Sequence, residues 1–131
     1  MNSRRKFLAS ASALTLGAIT VTGKENGKEA LVHHVFFWLK NLGSKEDLNK
    51  LIEGITTLKK IETLRHIKIG IPAATEKRDV VDASYSISLL AVFDDVKGHD
   101  AYQVHPIHTK FVADYSPLWG KVVIYDSQDL S

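Results

Sequence analysis

The chain has 131 residues, 44% of them hydrophobic and 24% charged, which suits one globular domain and excludes a disordered chain. It contains no cysteine, so disulfides, thiolate metal sites and cysteine nucleophiles are excluded. Its 17 basic and 15 acidic residues nearly balance, which argues against the concentrated basic face that a nucleic-acid partner requires.

The first predicted element is a leader. Ser3-Arg4-Arg5-Lys6-Phe7-Leu8 is followed by an uncharged run of small and apolar residues from Ala9 to Thr22. A positive start followed by an apolar stretch reads as a secretory signal over residues 1–23. The adjacent arginines with Phe7 and Leu8 match a twin-arginine signal, so the export machinery is an expected partner and a periplasmic or secreted location is expected. Cleavage there removes Arg4, Arg5 and Lys6 and no acid; the 17 basic residues fall by three to 14, against 15 acidic. Residues 24–30 are polar and are expected to form a flexible lead-in.

Leu31 to Leu39 is a β-branched and aromatic run of strand length. Alternation puts Val32, His34, Phe36 and Trp38 on one face, and Leu31, His33, Val35, Phe37 and Leu39 on the other. Both faces are apolar, so both need cover. Ser44 opens a helix with Glu46 and Asp47 in its first turn, and Leu48, Leu51, Ile52, Ile55 and Leu58 continue it at helical spacing to about Lys60. Arg65 to Ile71 alternates as a half-exposed strand ended by Pro72. Residues 73–83 read as a loop. Ser84 to Phe93 is a third strand, Asp94-Asp95 caps a short helix to about Val104, and Lys121 to Tyr125 is a last strand before a tail over residues 127–131.

The break between the last two helices is the most informative segment. Pro106 lacks an amide hydrogen and disfavours helical dihedrals at His105, so His105 ends one helix and Pro106 starts the next. His108 then lies in the first turn of the new helix, on the face of Phe111, Val112 and Tyr115. It is either a hydrogen-bonded core residue or a pocket base. His105 reads as a capping residue, while His66 and His99 read as solvated. His105 and His108 stand at a spacing that can converge on a metal or haem. With no carboxylate or third histidine beside them, no metal and no cofactor is expected.

The order β-α-β-β-α-α-β suggests an α+β, ferredoxin-like subunit with helices on one side of an antiparallel sheet. Phe36, Trp38, Leu89, Val122 and Ile124 are expected on the other side. At roughly 1.5–3 kcal/mol per buried side chain, homodimerisation through that face is the economical cover.

The chain also resembles the stress-responsive A/B barrel domain (Dabb) family over residues 31–126. The resemblance rests on His34-Val35, Phe93-Asp94, Tyr102 with His105-Pro106-Ile107-His108, Phe111, Trp119 and the closing Val122-Val123-Ile124-Tyr125-Asp126. It implies a dimeric α+β barrel with helices outside and an apolar pocket in each subunit, but no single activity. In a plant polyketide cyclase of that family, residues matching Tyr102 and His108 serve an aldol condensation. Carried over, His108 is the catalytic base, Tyr102 holds the substrate carbonyl, and His34 matches a nearby strand histidine. Ile87 stands where the cyclase has another pocket histidine, so one polar contact is missing. The implied ligand-binding lining is His34, Phe36, Trp38, Ile87, Leu89, Phe111, Trp119, Val122 and Ile124.

Three functions follow as expectations: a binder of a small apolar molecule, a non-redox cyclase- or lyase-type enzyme using Tyr102 and His108, or a structural stress protein.

Overall fold

The computed structural model describes residues 29–130. The expected leader and most of the lead-in lie outside the described residues. Ala30–Gln128 forms one compact unit. No helix among the described residues is long and apolar enough to cross a membrane.

Strand β1 spans Leu31–Leu39, and its odd-numbered residues are buried while its even-numbered ones are half exposed. Helix α1 spans Lys45–Thr57 and continues as one 3-10 turn, Leu58–Lys60. Gly43 takes φ 86°, a left-handed conformation cheap only for glycine, and turns the chain into the cap. Ser44 then accepts the Asp47 amide on its hydroxyl at 3.1 Å. Strands β2 (Leu64–Gly70) and β3 (Ile87–Phe93) follow, then helices α2 (Val96–Gln103) and α3 (Pro106–Tyr115), a 3-10 turn at Ser116–Leu118, and β4 (Trp119–Gln128). The order is the expected one. The last strand is longer than expected because β1 pairs along it as far as Leu31 opposite Gln128.

The sheet order is β2-β3-β1-β4, with every neighbouring pair antiparallel. The expectation of a barrel is corrected here. Strands β2 and β4 are the two edges and do not pair, so the sheet stays open. Alternation reports which residues share a face of one strand but carries no information on closure.

The register also corrects the expected make-up of the uncovered face. Leu89 and Ile124 both lie opposite Val35, and Val122 lies opposite Phe37, so all three belong to the helix side. The open side carries His34, Phe36 and Trp38 with Leu90, Lys121, Val123 and Tyr125. Tyr85, just before β3, adds its ring 4.9 Å from that of Phe36. Trp38 donates its indole N–H to Ser84 at 3.0 Å, and the Lys121 ammonium sits 4.5 Å above its ring.

The core lies between the helix side of the sheet and the helices. Leu51, Ile55 and Leu58 from the α1 segment meet Val35, Phe37, Ile87, Leu89 and Phe93 from the sheet. One contact fixes how closely α1 meets the end of α3. A Cβ on Gly54 would lie 2.6 Å from the Tyr115 ring, too close to coexist with it. Gly54→Ala should therefore lower stability by about 1–3 kcal/mol although alanine favours helix. Chemical denaturation checks this; an unchanged or raised midpoint would show that the ring moves aside freely.

Candidate functional site

Five titratable side chains from four elements meet on the helix side of the sheet. His33 lies directly across the strand pair from Asp126, and its Nδ1 is 2.6 Å from the Asp126 carboxylate. A carboxylate accepts only, so His33 donates through Nδ1 and its Nε2 keeps the lone pair. His33 is 3% exposed, while Asp126 stands at the rim with its side chain 44% exposed. Helix α2 supplies His99 and Tyr102, three residues apart and so on one face. The His99 ring lies 4.9 Å and the Tyr102 ring 5.9 Å from that of His33. Phe93 closes the cluster, 4.9 Å from Tyr102 and 5.7 Å from His99.

Helix α3 brings His108 from the other side. His105 accepts the Ile107 amide on its own Nδ1 at 3.1 Å, so it is the helix cap, and its Nε2 is 3.3 Å from Glu62. This break turns His108 back toward α2, where its ring is 4.8 Å from Tyr102. Beyond His108 the aromatic band continues through Phe111 to Trp119 and Phe37.

Burial sets the electrostatics. It lowers the His33 pKa below 6.5, against an opposing pull from Asp126. Burial also lowers that of His108, aided by His33 and His99 and partly offset by the Gln103 backbone carbonyl. Tyr102 is 1% exposed, and its phenol is pushed well above the ordinary range by desolvation, so it stays protonated. The site thus pairs a phenol donor with imidazoles held neutral.

His108 binds its proton more weakly folded than unfolded, so its contribution is complete above about pH 6.5 and is lost as pH falls through the folded value. His33, His99 and Tyr102 are the titratable groups around it. Thermal melts between about pH 8 and pH 5 should show a declining acid limb that His108→Gln makes shallower. An acid limb of the same slope in the variant would assign the decline elsewhere.

The residues expected to line one pocket divide between the two faces of the sheet. Ile87, Leu89, Phe111, Trp119, Val122 and Ile124 lie on the helix side with Tyr102 and His108, whereas His34, Phe36 and Trp38 lie on the open side. The strand histidine that joins the cluster is His33, not His34. His99, expected in solvent, is largely buried, with a side chain 15% exposed. In the sequence Asp126 stands out only as the end of the closing Val122-Val123-Ile124-Tyr125-Asp126 run. Its helix-side position was legible only once the register paired it with His33, whereas the three-residue spacing of His99 and Tyr102 was already a signal.

An antiparallel sheet with helices on one side and this buried cluster between them defines a ferredoxin-like α+β domain. Residues 31–129 match the family described as Stress responsive A/B Barrel Domain, and the chain belongs to that family, Dabb. Solved structures share the fold. A Dabb protein from Mesorhizobium loti superposes with a TM-score of 0.64 at 23% identity, covering 79% of this chain and 99% of its own. A dimeric ferredoxin-like protein from Thermobifida fusca gives 0.62 at 20%, covering 76% and 91%. The hydroxynitrile lyase of Passiflora edulis gives 0.65 at 20%, covering 77% and 94%. No curated protein sequence matches the chain.

Proposed function

We propose that this chain is a homodimeric enzyme of non-redox proton transfer, lyase- or cyclase-like, acting on a small apolar molecule that bears a carbonyl or hydroxyl. The observation that carries the reading is the pairing of Tyr102 and His108, ring centroids 4.8 Å apart, in a buried cluster that also holds His33 on Asp126. Neutral His108 is the catalytic base that removes a proton from the substrate. Tyr102 donates its hydrogen bond to the oxygen where negative charge develops. Phe111 beside His108 and Trp119 beside Phe111 give the pair apolar surroundings, and the hydroxynitrile lyase of Passiflora edulis shares this fold with chemistry of this class.

The dimer forms through the open sheet face. Phe36, Trp38, Tyr85, Val123 and Tyr125 line a shallow groove of about 200 Å³ there, flanked by Asp82 and Lys121. Aromatic residues ringed by charge are the usual composition of an interface centre. The Thermobifida fusca protein of the same fold is dimeric, which supports a dimer here.

The test starts with native mass spectrometry of the purified chain for a retained small molecule. Turnover is then followed on carbonyl and α-hydroxynitrile substrates. His108→Gln and Tyr102→Phe should each lower kcat/KM by about 100- to 10,000-fold while leaving the melting temperature near that of the parent. A retained ligand with no turnover of any substrate would reduce the protein to a binder, and equal activity in both variants would remove the two residues from the chemistry.

A further inference from the structure

We propose that His33, His99 and Asp126 form a binding site for a divalent transition metal of the zinc class. Each offers one ligand atom, and the three atoms lie within 4.8 Å of one another. The residues come from β1, α2 and β4, so the fold and not the local sequence assembles them. Ligand atoms around a tetrahedral zinc stand about 3.4 Å apart, so the widest separation must close by roughly an ångström, while the Asp126 carboxylate, 2.6 Å from His33 Nδ1, gives up that hydrogen bond and moves outward to take the ion. Asp126 is at the rim of the sheet with its side chain 44% exposed, so it has room to make that adjustment.

A second observation points the same way. The Nδ1 of His99 is 3.1 Å from the Asp100 carboxylate, which accepts its proton and leaves Nε2 with a free lone pair. That Nε2 is buried and has no hydrogen-bond partner among the described residues. A buried acceptor without a donor is costly, and a cation is the natural occupant of its lone pair. A carboxylate fixing the far nitrogen of a liganding imidazole is also the usual outer support of a metal-bound histidine. Phe93 and Tyr102 wall the two rings and hold their orientation.

The donor set selects the ion. Two imidazoles and one carboxylate suit zinc, ferrous iron or cobalt, whereas calcium and magnesium prefer oxygen donors. Three protein ligands also leave a coordination position open for water or a substrate oxygen. The proposal does not rest on the acid–base reading, because affinity is measured without substrate and His108 is outside the ligand set.

The test titrates the full chain, stripped with a chelator, with Zn²⁺ by calorimetry and with Co²⁺ by visible absorption. One equivalent per chain is expected, with Co²⁺ bands of a low-coordinate site. His99→Gln should weaken Zn²⁺ binding at least tenfold, Asp126→Asn likewise, and Asp100→Asn about 10- to 100-fold through loss of the outer support. His34→Ala, on the opposite sheet face, and His108→Gln should bind as the parent does. His99→Gln leaves the buried strand residue in place, so a native circular dichroism spectrum is expected for it. The proposal is overturned by the absence of stoichiometric binding, by parental affinity in folded His99→Gln, or by loss of binding in His34→Ala.

Discussion

Phe93→Ala should cost about 3–5 kcal/mol, a large share of the 5–15 kcal/mol that holds a typical domain together. Phe93 is fully buried at the end of β3, where its ring meets those of His33, His99 and Tyr102. Removing it takes away the transfer energy of an aromatic ring and leaves a cavity beside three polar side chains. Water entering that cavity would solvate His33 and reduce the desolvation that lowers its pKa. Two measurements follow: a fall in the denaturation midpoint, and a His33 imidazole titrating nearer its ordinary value by NMR. A loss under about 1 kcal/mol would mean that α2 collapses onto the gap and that the cluster is not rigid.

Phe36→Asp should turn the dimer into a folded monomer. Phe36 sits in the middle of the open face, with the rings of His34, Tyr85 and Tyr125 around it. A carboxylate there meets its symmetry copy across a two-fold interface and has no cation at the centre of the patch. Loss of a central aromatic contact costs about 2–4 kcal/mol, or roughly 30- to 1,000-fold in the dimer dissociation constant. Sedimentation velocity over a dilution series reads the change, and far-UV circular dichroism reports the fold. A variant that stays dimeric at the parental dissociation constant would place the interface on another surface. A parent that sediments as a monomer throughout would dispose of the dimer altogether.

Most of the fold was legible because its elements carry local instructions. Alternation marks β1, Ser44 and the apolar spacing mark α1, and Pro106 marks the break at which His105 becomes a cap. Tyr102 and His108 were legible as a pair because they flank that break. Face assignment was harder. Strand β1 is apolar on both sides, so period two divides its residues into two sets without saying which set the helices cover for its neighbours. Leu89, Val122 and Ile124 fall on the helix side and not on the uncovered face, and a one-residue change of register is enough to reverse them.

The sequence by itself determined the elements, their order, the two-sided apolar character of the first strand and the His105-Pro106 break, because each depends on neighbours within a few positions. Only the tertiary structure decided that the sheet stays open, that His33 and not His34 enters the cluster, and that Asp126 and His99 converge on it. Those outcomes depend on pairings between residues as far apart as 33 and 126. Such pairings are set by sheet register and by the seating of α2 on the sheet, which no local pattern encodes.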